Sequence, residues 1–157
     1  MEHFTFRTAT NRDTEKIISL VKTILPEFSL TYSPETSEQD LQDIEGTYTK
    51  NGGAFEVIEN LQGEILGTVA LLKIDNDRCK MRKMYVHSHY RKNGLGHALL
   101  KRAFYIAKTL GFKEIVLETV HNMKAAIHLY EEHGFQKIDG QTSSPGCDIV
   151  MRKKIND

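Results

Sequence analysis

Apolar side chains recur along this chain with two periods, and the switches between them divide it into elements. Phe4-Thr5-Phe6-Arg7 alternates and predicts a short strand. Thr10-Asn11-Arg12-Asp13 has the form of a helix start, a hydroxyl cap followed by an early acid. Ile17, Val21, Ile24 and Leu25 then follow at helical spacing up to Pro26. A loop holds Pro26 and Pro34, after which Leu41, Ile44 and Tyr48 predict a second helix that Asn51-Gly52-Gly53 ends. Residues 54–58 and 65–74 read as two strands of an antiparallel hairpin around Asn60-Leu61-Gln62-Gly63-Glu64, and 80–86 as a fourth strand after Asp75-Asn76-Asp77. Leu95, Leu99, Ala103, Ile106 and Leu110 line one side of a long helix opened by Gly94 and capped by Gly111. Residues 114–118 form a fifth strand, 123–133 a helix ended by Gly134, and 135–138 and 147–152 the last strands, with a polar loop at 140–146.

The resulting order is β-α-α-β-β-β-α-β-α-β-β. A hairpin first and strand–helix–strand crossovers later describe an α/β (α+β) mixed sheet flanked by helices, not a doubly wound fold. No repeat or linker divides the chain, so residues 1–157 read as one domain.

Composition narrows the class. Hydrophobic residues make up 39% of the chain and charged residues 27%, with seven Phe and six Tyr to fill a core, which excludes disorder. Cys79 and Cys147 stand far apart and in no CxxC pair, so neither a disulfide framework nor a metal site is expected. No apolar run nears the ~18 residues of a membrane span. Met1-Glu2-His3-Phe4-Thr5-Phe6-Arg7 lacks the shape of a secretory leader, so a cytoplasmic protein is expected. Net charge is zero, but unevenly distributed: residues 78–113 hold ten basic side chains and no acidic one, while residues 1–77 hold 14 acidic and six basic. That middle segment either attracts phosphates or takes its acidic partners from elsewhere in the fold.

The phosphate reading has a specific carrier. Arg91-Lys92-Asn93-Gly94-Leu95-Gly96-His97-Ala98 follows a strand and opens a helix, where free N–H groups and the helix dipole favour an anion. Glycine lets a phosphate approach the backbone. A Walker A loop would need Lys-Ser/Thr after its glycines, and His97-Ala98 stands there. A Rossmann fingerprint would need a third glycine, and Leu99 stands there.

Met84-Tyr85-Val86 through Leu99-Leu100 resembles the acetyl-CoA-binding motif of the GNAT superfamily of N-acetyltransferases, and Leu129-Tyr130-Glu131-Glu132-His133-Gly134-Phe135 resembles its downstream Leu-Tyr…Gly-Phe motif. The resemblance extends over nearly the whole chain. It implies a GNAT-like fold, a mostly antiparallel sheet whose fourth and fifth strands splay, with acetyl-CoA as co-substrate. The diphosphate loop would be Arg91, Lys92, Asn93, Gly94, Leu95, Gly96 and His97, and the pantetheine arm would pair with Met84, Tyr85 and Val86. A backbone N–H of Met84 or Tyr85 would stabilise the oxyanion. Tyr130 would protonate the leaving thiolate, whose pKa is near ~8.5. Tyr130 also shares a helix face with Met123, Ala126 and Ile127, where a tyrosine can be plain core.

Two departures stand out. Cys79-Lys80-Met81-Arg82-Lys83-Met84 lacks the Glu that many members carry, so Glu118 on the next strand is the candidate base, beside His87, His121 or a water relay. Met123 replaces an Asn that contacts the cofactor in many members, and Asn122 is one position off. Glu27, Phe28 and Tyr32 fall where the family covers its acceptor; Arg82 on the cofactor strand suits an acceptor with a carboxylate, and the acidic residues of the first two helices equally suit a polyamine. The expected reaction is direct transfer to a primary amine of a small molecule or peptide, with no covalent enzyme intermediate; homodimers are common in the family. The alternatives are a non-catalytic acyl-CoA-binding module and a nucleic-acid binder using residues 78–113.

Overall fold

The computed structural model describes residues 3–155. Met1 and Glu2, part of the stretch read as lacking a leader, lie outside the described residues, as do Asn156 and Asp157. Seven strands, β1 (Phe4–Thr8), β2 (Ala54–Asn60), β3 (Ile65–Lys73), β4 (Arg78–Val86), β5 (Glu114–Thr119), β6 (Gln136–Ile138) and β7 (Ile149–Lys154), form one sheet in the order β1-β2-β3-β4-β5-β7-β6. Neighbours are antiparallel except β4 and β5, which run parallel because α2 (Leu95–Thr109) makes the crossover between them. The mixed sheet is the one expected from the element order. No helix among the described residues is long and apolar enough to cross a membrane.

Both sheet faces are covered. On one, Leu95, Leu99, Leu100, Ala103 and Ala107 of α2, with Ile127 and Tyr130 of α3 (Lys124–Glu132), pack on Ile58, Val69, Leu71, Met81, Ile115 and Leu117. On the other, Ile17, Leu20, Val21 and Ile24 of α1 (Thr14–Ile24) pack on Phe55, Val57, Ile65 and Ala70. Thr10 caps the turn that leads into α1, accepting from the Arg12 N–H, while Asp13 accepts from the Thr10 N–H.

The second predicted helix is two separate turns, a 3₁₀ turn at Gln39–Gln42 and a π turn at Glu45–Thr49. Asp43 breaks it: its backbone is extended (φ −150°), and its carboxylate accepts the Gly46 N–H and the Asn11 side-chain amide, each at 3.0 Å. The expected face is nevertheless buried, since Leu41, Ile44 and Tyr48 all join the second core.

Leu99 is fully buried between α2 and the sheet. Leu99→Ala is expected to cost about 2–5 kcal/mol, read as a lower urea midpoint with unchanged slope.

Candidate active site

The site begins with one extra residue in β4. Thr68 pairs with Tyr85 but Ala70 pairs with Arg82, so Lys83 and Met84 together oppose Val69. Lys83 takes the bulge in the left-handed region (φ 52°), which is costly for a residue with a Cβ. Three contacts hold it there. The Thr68 hydroxyl donates to the Lys83 carbonyl at 2.5 Å, and Lys83 Nζ donates to Ser37 O at 2.8 Å and Glu38 Oε2 at 3.3 Å. Asp40 stands 3.5 Å from the same ammonium and accepts from Tyr48 Oη at 2.5 Å. Burial lowers the Lys83 pKa, against the opposing pull of Asp40 and Glu38.

Beyond the bulge, β4 leaves β5. Their pairing runs from Arg78 with Glu114 only to Met81 with Leu117, whereas β5 stays paired with β7 as far as Thr119. One backbone edge of β4 from Arg82 onward therefore has no β5 partner. The gap is a cavity of ≈ 90 Å³ lined by Met84, Tyr85, Leu117, Thr119, Met123 and Tyr130, among others. Tyr130 is buried against the edge of Phe135, and burial pushes its phenol up to about 12. Burial raises the Tyr85 phenol as well.

A second cavity of ≈ 280 Å³ adjoins the gap, sharing Leu30, Met81, Arg82, Lys83, Tyr85, Glu118 and Cys147 with it. Its polar lining includes Ser37, Glu38, Lys80, Arg82 and Glu118. Arg82 donates to Ser37 O at 3.0 Å and lies 3.8 Å from Asp40. Glu118 is heavily engaged: Lys80 Nζ and the Ser143 N–H bond to it, as do Ser143 Oγ at 2.8 Å and the Ser144 N–H at 3.2 Å. Burial would raise its pKa, but these bonds outweigh burial and hold it below the usual carboxylate range. The 143–147 stretch is thereby strapped over the cavity. Cys147 lines both cavities, but burial and nearby Glu118 raise its thiol, which leaves it a poor nucleophile.

At the far end of β4, Gly94 has φ +80°, and a Cβ there would meet nothing within 4 Å, so the approach to the backbone is open. The N–H groups of Leu95, Gly96 and His97 have no intrahelical acceptor. Gly96 serves packing instead: a Cβ would lie 2.9 Å from Leu129 Cδ2 on α3. The Arg91 guanidinium is occupied, bonding Glu27 through both terminal nitrogens at 2.8 Å and Val86 O through Nε at 3.1 Å. Lys92 has no such ion pair among the described residues. His97 Nδ1 lies 2.7 Å from His133 Nε2, and the His133 pKa is lowered by burial and by His97.

Of the residues singled out from sequence, Met84, Tyr85, Arg82, Glu118 and Tyr130 converge on the two cavities, while Val86 packs on the core at the gap's edge. Phe28 and Tyr32 line neither cavity. Phe28 offers its carbonyl to Asn122, and Tyr32 lies under the Lys22 ammonium; Ser29, Leu30, Thr31 and Ser33 do the covering. Sequence reasoning missed Thr68, Lys83, Glu38 and Asp40. A bulge leaves no mark on a period-two strand pattern, and these four are brought together only by the fold. The polar loop at 140–146 was visible, but nothing in it pointed to Glu118.

The arrangement can take an anion at the start of α2 and an extended arm along the open edge of β4, ending between Tyr130 and a polar cavity. A family model described as the acetyltransferase (GNAT) family matches residues 17–135. An uncharacterized N-acetyltransferase of Escherichia coli K12, YjgM, is 30% identical over 157 positions, covering 95% of this chain and 93% of that protein. N-acetylaspartate synthetase of Danio rerio is 34% identical over 114 positions, 72% of this chain, which spans only 40% of the zebrafish protein's length. Among solved structures, a GNAT-family acetyltransferase from Staphylococcus aureus Mu50 superposes with a TM-score of 0.91 at 24% identity, covering 98% of this chain and 100% of that one. A phosphinothricin acetyltransferase from Sinorhizobium meliloti in complex with AcCoA gives 0.76 at 19% identity, covering 97% of this chain and 88% of that one. These two likenesses speak to the fold.

The depressed pKa of Glu118 carries a pH signature. A carboxylate with a lower pKa folded than unfolded stabilises the fold fully above its unfolded value, about 4.3, and less as pH falls through the folded one. Wild type is expected to be more stable than Glu118→Gln at pH 7, and the gap to close below about pH 4 in urea melts.

Proposed function

The chain belongs to the acetyltransferase (GNAT) family and is an N-acetyltransferase, and from that premise we propose that it moves an acetyl group from acetyl-CoA directly to a primary amine of a small molecule or peptide. The observation that carries this reading is the parting of β4 from β5 beside Tyr130, in line with an open helix start at Gly94.

The residues present fit acetyl-CoA. Its diphosphate would meet the loop from Arg91 through Lys92, Asn93, Gly94, Leu95 and Gly96 to His97, held by backbone N–H groups and the Lys92 ammonium. Arg91 contributes its backbone and anchors the loop, since its guanidinium is engaged by Glu27. The free edge of β4 at Met84, Tyr85 and Val86 would orient the arm by main-chain bonds, and an N–H of Met84 or Tyr85 would face the carbonyl oxygen. Acetyl-CoA supplies the acetyl group as a thioester. Tyr130, a phenol that is neutral at pH 7 and that burial keeps so, holds a proton for the departing sulfur. The amine would enter the larger cavity, where Arg82 and Lys80 mark the polar wall. Glu118 borders that cavity as an ionised carboxylate, but its bonds to Lys80 and the Ser143–Ser144 backbone make it a weak base. Its proposed part is to hold the strap, and the amine's proton passes to water in the cavity.

Acetyl-CoA at about a hundredfold its Kd should stabilise the protein by ~2.7 kcal/mol, seen as a raised Tm, with NAD giving no shift. A rise with NAD and none with acetyl-CoA would end this reading. Tyr130→Phe should keep acetyl-CoA affinity while kcat falls about a hundredfold, followed as thiol release across a panel of amino acids, short peptides and polyamines. Undiminished turnover would remove Tyr130 from the chemistry.

A further inference from the structure

We propose that Glu27 is a positioning residue that couples occupation of the diphosphate loop to ordering of the chain that roofs the acceptor cavity. This rests on the acetyl-CoA reading above and deepens it.

Glu27 lies in the 3₁₀ turn Leu25–Phe28 that follows α1. The chain around it makes the roof of the larger cavity, through Leu25, Ser29, Leu30, Thr31 and Ser33. Ser29 sits in the left-handed region (φ 60°), so the roof turns sharply just after Glu27. Three ties fix this roof, and each leads to a different loop. Glu27 takes both terminal nitrogens of Arg91 at 2.8 Å, a two-pronged bond that sets orientation as well as distance. The Phe28 carbonyl accepts from Asn122 Nδ2 at 3.1 Å, ahead of α3. Leu30 abuts Gly146 so closely that a Cβ there would lie 3.0 Å from Leu30 Cδ2.

The first tie differs from the others in what it reports. Arg91 is bonded through all three nitrogens to Glu27 and Val86, so its side chain is rigidly part of the loop that opens α2. An anion held by the N–H groups that follow fixes the Arg91 backbone. That restraint passes through the guanidinium to Glu27 and the roof. Ordering paid for by one ligand need not be paid again by the other, which is positive coupling without a large movement. The coupling is reciprocal, so an amine that settles under the roof tightens the loop on its anion. The ion pair is about one-third exposed on each side (34% and 38%), so geometry rather than burial gives it its effect, and salt should weaken it.

The test is hydrogen–deuterium exchange on wild type and Glu27→Gln, with and without coenzyme A, alongside coenzyme A Kd by calorimetry. In wild type, coenzyme A should slow exchange over residues 25–33 about fivefold or more. Glu27→Gln should bind coenzyme A within about threefold of wild type and lose that slowing, with β3 amides still protected as proof of the fold. Glu27→Asp, which keeps the charge and shortens the reach, should lie between. Equal slowing in wild type and Glu27→Gln, or none in wild type despite binding, overturns the coupling alone. Failure of wild type to bind coenzyme A overturns the acetyl-CoA reading, and the coupling with it.

Discussion

Everything at this site depends on a lysine held where lysines rarely go. A left-handed residue with a Cβ costs roughly 1–2 kcal/mol, and Lys83 meets that cost with a buried hydroxyl on its carbonyl and two oxygen partners on its ammonium. The extra residue turns β4 away from β5. A bulge bends its strand, and β4 parts from β5 just before this one, which leaves the edge at Met84 and Tyr85 without a β5 partner and a gap beside Tyr130. The cluster of Lys83, Glu38, Asp40, Arg82 and Tyr48 is therefore part of the site's geometry even where it touches nothing that reacts.

Local signals were readable where one element decided them. The apolar runs of β2 and β3 on either side of a turn, the stripe of Leu95, Leu99 and Ala103, and the glycines around α2 all depend on near neighbours, and the elements formed within a few residues of their expected ends. The second helix was misread because Leu41, Ile44 and Tyr48 keep helical spacing across a break that Asp43 makes with its own side chain. The period was right about burial and wrong about the backbone. At the site, Tyr130 and β4 were legible through motif spacing. The bonding of Glu118 and Arg91 was not, because their partners lie 25 and 64 residues away.

The carboxylate-free segment also came out differently from its simplest reading. Seven of its ten cations find acids supplied by other parts of the sheet and its turns, namely Arg78 with Asp75, Lys80 with Glu118, Arg82 with Asp40, Lys83 with Glu38, Arg91 with Glu27, Arg102 with Glu56 and Lys113 with Asp77. Much of the positive field that the sequence implies is cancelled within the fold. What is left for an anion is largely backbone, at the opening of α2, with Lys92 beside it.

That segregation of charge has a temporal side. A ribosome extrudes the acidic residues 1–77 before any of the cations at 78–113 that neutralise Glu27, Glu38, Asp40 and Glu56. Strands β1 to β3 can zip together as they emerge, because each pairs with its neighbour in the sequence. The turns that carry Glu38 and Asp40 cannot be locked until β4 has left the tunnel and brought Lys83 to them. A chain that has emerged only as far as β3 holds Glu38 and Asp40 without the Lys83 ammonium, and β4, the strand that lines both cavities, is also the one that brings it.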